Sequence, residues 1–140
     1  MSKVVFILLF FSVFLAAEEG VFYINGEAVK KISLALTTNA IDFGDVYNDS
    51  EVESVLTEFW VNAEAGYDYT VEISNDDDTG VLEVSRSSIL GYTQSSITYI
   101  DTATGAEQRH EFYVDLNTAI MSGDMSATIT VMVAYNDIHE

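Results

Sequence analysis

The sequence contains no cysteine and no proline, only five basic residues and only two histidines. Without cysteine there is no disulfide brace, so the fold must be held by packing and strand pairing alone. The thiol nucleophile is excluded as well. A nucleophilic site would have to be built from Ser or Thr with His110, and no GxSxG turn is present to expose a serine. The scarcity of Lys and Arg against 23 acidic residues excludes the clustered phosphate contacts that nucleic acid requires. The same imbalance argues against adhesion to anionic lipid. What it supplies is solubility and some attraction for divalent cations.

Residues 1–17 carry one basic residue, Lys3, followed by an apolar run from Val4 to Ala17 broken only by Ser12. A basic start, an apolar stretch of this length and the small pair Ala16 and Ala17 predict a secretory signal peptide, cut after Ala17 or, alternatively, after Ala16. The run falls short of the roughly 20 apolar residues a membrane span needs, so no stable span is expected once the leader is removed. All 23 acidic residues lie beyond it, and the remainder keeps four basic residues, a net charge of about −19. What remains is long enough for one domain with a real core and too short for two.

Hydrophobic periodicity sets the fold class. Met125 to Tyr135 reads MSATITVMVAY, with Met125, Ala127, Ile129, Val131, Val133 and Tyr135 on one face. Strict alternation rich in β-branched residues predicts a long, half-buried strand. The same period runs through Ile32, Leu34 and Leu36; through Val55, Thr57, Phe59 and Val61; and through Tyr67, Tyr69, Val71 and Ile73. Shorter strands are predicted at Val81 to Val84 and Ile97 to Ile100, and a long one at Arg109 to Leu116 with His110, Phe112, Val114 and Leu116 inward. Between them, NDDDTG from Asn75 and DTATG from Asp101 read as hairpin turns, and a turn of helix fits near Leu116 to Met121. About seven to nine strands with turn signals between them predict an all-β antiparallel sandwich over residues 32–136, with a short tail at 137–140. Residues 18–31, EEGVFYINGEAVKK, carry a hairpin signal at Asn25-Gly26 and read either as two short strands, VFYI and AVKKISLAL, or as one extended arm with a kink, a candidate donor strand.

Three features could carry chemistry. His110 lies in an apolar row, where a satisfied core histidine is the expectation rather than a catalytic base. Asn75, Asp77 and Thr79 place side-chain oxygens at alternate positions before Gly80, as the start of a calcium loop does; the twelfth position, where a bidentate Glu is wanted, is Arg86. Plain turn chemistry uses the same residues. Trp60 and the eight tyrosines could form a sugar-stacking platform, although aromatics at alternating strand positions first of all serve cores and cross-strand pairs. A secreted carbohydrate- or calcium-binding module is therefore the alternative to a structural role. An enzyme is not expected.

Two stretches carry a family resemblance. ISLALTTNAIDFGDV, Ile32 to Val46, resembles the opening strand of spore-coat-U-like and related bacterial fimbrial subunits, where an alternating strand leads into a Phe-Gly pair. GDMSATITVMVAYN, Gly123 to Asn136, is similar to their closing strand. The resemblance implies an immunoglobulin-like β-sandwich exported through the periplasm to a cell-surface fimbria, with other copies of itself or related subunits as partners and a host or surface receptor as a further one. In such subunits the fold can lack a strand, and a neighbour's N-terminal extension fills the groove by strand addition. Carried over, Val21, Tyr23, Ile32, Leu34 and Leu36 become donor plugs, while Phe43, Ile129, Val131, Val133 and Tyr135 line or flank the acceptor; the alternative is that the arm pairs within its own chain. The chain departs from the family in lacking the cysteine pair that many chaperone-assembled subunits carry.

Overall fold

The computed structural model describes residues 31–136. The leader, the arm with Val21, Tyr23 and the Asn25-Gly26 turn, and the tail with His139 lie outside the described residues. Among the described residues seven strands follow one another: β1 (Ile32–Leu36), β2 (Val55–Ala63), β3 (Asp68–Asn75), β4 (Leu82–Ser85), β5 (Ile97–Thr102), β6 (Glu107–Leu116) and β7 (Ile129–Tyr135). One 3-10 turn, Thr118–Ile120, separates β6 from β7. A four-stranded sheet has the order β1-β2-β6-β4 and a three-stranded sheet the order β5-β3-β7, every pairing antiparallel. The protein is an all-β sandwich.

Alternation places the core. Phe59 and Val61 of β2 and Phe112 and Val114 of β6 face Tyr69, Val71 and Ile73 of β3 and Val133 of β7, all fully buried. Each such side chain contributes about 1.5–3 kcal/mol through the apolar surface it removes from water. The sheets are also tied by polar contact at one end. The Tyr135 hydroxyl of β7 donates to the Lys31 carbonyl at 2.5 Å and accepts from the Glu64 amide at 2.8 Å.

Two turns differ from the sequence expectation. NDDDTG and DTATG are not hairpins, because β3 and β4 lie in different sheets, as do β5 and β6. From β2 onward every connection crosses from one sheet to the other. The residues that reverse a chain are the same in a hairpin and in such an arch, so turn composition does not tell them apart. Gly105 shows the demand in the second arch: its φ is +89°, and an added Cβ would stand 3.2 Å from that of Ala65.

The closing strand is also shorter than its alternating run. Pairing begins at Ile129, opposite Asn75, where β3 ends. Just beyond, the Thr128 amide donates to the Asp76 side chain at 2.7 Å, and the Asp76 amide donates to the Thr128 carbonyl at 3.1 Å. Met125, Ser126 and Ala127 keep the alternation of burial without belonging to a strand.

Candidate partner-binding groove

β1 pairs with β2 from Ile32 opposite Ala63 to Leu36 opposite Phe59, and the Thr37 amide then reaches the Glu58 carbonyl at 3.4 Å. There the chain leaves the sheet. Residues 38–54 contain no strand, and Gly44, at φ +74°, bends the backbone after Phe43, which packs against the core. The far end of this segment is pinned: Asn48 Nδ2 lies within 3.2 Å of the Thr118, Ala119 and Met121 carbonyls, and the Thr118 hydroxyl donates to the Ser50 carbonyl at 2.6 Å.

Because β1 departs at Thr37 and β7 gains its partner only at Ile129, the sandwich is open between residues 38–47 and residues 123–131. The opening is a groove of about 780 Å³. Leu36, Phe43, Met125, Ile129 and Val131 line it together with polar and acidic residues, among them Asn39, Asp42, Asp45 and Asp124, and inward residues of the four-stranded sheet, Thr57, Phe112 and Val114, form its floor. On the other side of β7 the described residues supply no strand: β3 is its one partner among them. Unpaired main-chain groups at an edge are where an added strand can bond. Thr57 is 5% exposed, and its Oγ1 has no hydrogen-bond partner among the described residues.

Of the residues assigned to an acceptor, Phe43, Ile129 and Val131 come together at this groove. Val133 and Tyr135 do not line it; both are buried in the core towards the other end of β7. Leu36, 52% exposed, is a wall of the groove, and Ile32 and Leu34 pack against the core of their own chain as part of β1. Thr57 is the groove residue that alternation concealed. In sequence it is one more inward position of a strand, and that its buried hydroxyl lacks a partner shows only in the structure.

The other candidate residues are placed away from the groove. His110 is 5% exposed, with the Tyr69 hydroxyl 2.8 Å from Nε2 and the Tyr99 hydroxyl 2.7 Å from Nδ1. Burial holds its imidazole below the usual histidine value, against the pull of Asp101 in the other direction. The Tyr99 hydroxyl is pushed up to about 12 by burial, with the Arg86 guanidinium, 3.6 Å from the ring centroid, opposing. Asn75, Asp77 and Thr79 do fall in one turn, but their oxygens serve its backbone. The Asp77 carboxylate accepts from the Val81 and Leu82 amides at 3.0 Å each and from the Thr79 hydroxyl at 2.7 Å, and Asn75 Oδ1 accepts from the Asp77 amide at 2.9 Å. Among the described residues no cluster of three His, Cys, Asp or Glu is arranged to hold a metal. Trp60, opposite Ala35 and Arg109, lies on the outer face of the four-stranded sheet, whereas Tyr69 is in the core. No described helix is long and apolar enough to cross a membrane. A comparison with protein-family models returns no match, and neither does a comparison with curated proteins.

Proposed function

We propose that the chain is a structural subunit of a surface filament of the fimbrial kind, exported by its leader and joined to its neighbours by β-strand addition. The observation that supports this reading is the groove itself. It combines a floor that includes Phe112 and Val114 with an edge strand, β7, whose described neighbours pair it on one side only. An extended segment laid there gains main-chain bonds from the edge and inserts alternate side chains between the sheets, so pairing and burial act together. A bare edge of this kind favours association between chains when nothing covers it. The occupant we assign is the arm, residues 18–30, of a second copy.

Size-exclusion chromatography and electron microscopy test the reading, comparing the chain from Glu18 with one that begins at Lys31. Filaments or SDS-resistant ladders from the longer chain, lost in the shorter, are the expected result. A stable monomer from both overturns it.

A further inference from the structure

β4 and β5 are edge strands, one in each sheet, and their open sides differ. The edge of β4 is covered, because Val84 and Thr93 exchange amide-to-carbonyl bonds at 2.9 Å. β5 has β3 as its one partner among the described residues. The Ala103 amide donates to the Tyr67 carbonyl at 2.9 Å, and Thr102 stands opposite Asp68. Bonding alternates along an antiparallel pair, so Tyr99 and Asp101 turn their main-chain groups to β3, and Thr98, Ile100 and Thr102 turn theirs to the open edge. Side chains close Thr102: its amide donates to Asp101 Oδ1 at 2.9 Å and its carbonyl accepts from Gln108 Nε2 at 3.1 Å. The edge-facing amides and carbonyls of Thr98 and Ile100 have no partner among the described residues.

The charge along this edge departs from that of the rest of the chain. Residues 84–100 contain no Asp or Glu, the longest such run after Ala17, in a chain of net charge −18. β5 has neither Lys nor Pro to blunt its edge, and Ile100 is 61% exposed on it. A second copy, carrying the same charge, is repelled by most of this surface and least by this stretch. Arg86 is exposed, lies 3.6 Å from the Tyr99 ring centroid and forms no ion pair with a described carboxylate.

We propose that β5 pairs edge to edge with β5 of a second copy, antiparallel about a two-fold axis at Tyr99. That register sets Thr98 opposite Ile100 of the second copy and Ile100 opposite its Thr98. Each pair exchanges two main-chain bonds, so the open residues of both copies are all used. Other registers lose bonds. Ile100 against Ile100 brings the closed Thr102 opposite Thr98, and Thr98 against Thr98 brings Ser96, which lies outside β5, opposite Ile100. The proposed register also makes Asp101 of the second copy a diagonal neighbour of Tyr99, about 7–8 Å away at Cα and within reach of the Arg86 side chain over that ring. The cation without an ion pair thus meets a carboxylate across the axis, twice by symmetry. This contact closes on itself as a dimer, on the edge of the sheet opposite β7 and the groove.

Because the chain has no cysteine, disulfide trapping tests the register. In the chain from Glu18 carrying Thr98→Cys and Ile100→Cys, oxidised glutathione should give a covalent dimer on a non-reducing gel, since paired residues about 5.5 Å apart at Cα fall within the disulfide range. Both positions are exposed, so the melt should match that of the wild type. Per thiol, the dimer should form about tenfold faster than in a Ser33→Cys control, whose exposed thiol on β1 meets another only by collision. Adding Arg86→Gln should slow the trapping; an unchanged rate overturns the contact between Arg86 and Asp101. Trapping no faster than the control, whether β5 stays bare or another segment of the chain pairs with it, overturns the dimer. Arm-dependent filaments seen alongside that failure would leave strand addition at the groove standing.

Discussion

Phe59 and His110 face each other across β2 and β6 and stack with ring centroids 5.1 Å apart and planes 9° from parallel. The stack puts a titratable ring into the core. Tyr69 and Tyr99 reach it from the opposing sheet, and Asp101 Oδ2 lies 3.7 Å from Nε2. A neutral imidazole satisfies both tyrosines, accepting from one hydroxyl and donating to the other.

That arrangement makes stability depend on pH in a defined direction. Burial lowers the folded-state pKa of His110 below its ordinary 6.5, so as pH falls the unfolded chain takes up the proton first. The contribution is fully present above the ordinary value and is lost as pH falls through the window between the two. Melting temperature should therefore drop between pH 7.5 and 5 in the wild type and change less in His110→Gln, which should itself cost about 2 kcal/mol at pH 7.5. Parallel melting curves for the two proteins would refute the assignment. His139, present in both, cancels in the comparison.

On the outer face of the same strand pair, Glu58 stands directly opposite Glu111, a placement that repels unless something lies between them. Arg109 is that group: it pairs with Glu58 and, at 2.7 Å, with Glu111, and the bond to Glu58 is the main reason its guanidinium is held above its usual value. Arg109→Ala should lower the melting temperature in dilute buffer, and the loss should shrink in molar salt as the carboxylates are screened. A loss that does not depend on salt would trace to the side chain's packing instead.

The acidic turn makes a third case. Burial pulls the Asp77 carboxyl upward, but bonds from the Leu82 amide, the Thr79 hydroxyl and amide and the Val81 amide outweigh it, and the pKa lies below the ordinary 3.8. Its contribution is present above that value and lost as pH falls through the folded one. Asp77→Ala should cost about 1 kcal/mol at neutral pH, as loss of a capping carboxylate does. Because the oxygens are already engaged by the turn, millimolar calcium should leave the wild-type melt unchanged. A rise with calcium that disappears in Asp77→Ala would make the turn a metal site.

Period-2 alternation determined which residues face inward. Thr57, Phe59 and Val61, His110, Phe112, Val114 and Leu116, and Tyr69, Val71 and Ile73 are buried as their spacing requires, since successive strand residues must point to opposite faces. Spacing is a local property, however, and says nothing about neighbours. Only the tertiary structure decided that β3 pairs with β5 and β7, that NDDDTG and DTATG are arches between sheets, and that Met125 to Ala127 outrun the strand they would pair with. The groove is a product of that choice, made by β1 leaving β2 at Thr37 and β3 ending at Asn75. Thr57 shows the division in one residue. Its inward direction was legible from alternation, whereas the lack of a bonding partner for its hydroxyl depends on which chain segments come near it, a matter of packing between strands distant in sequence.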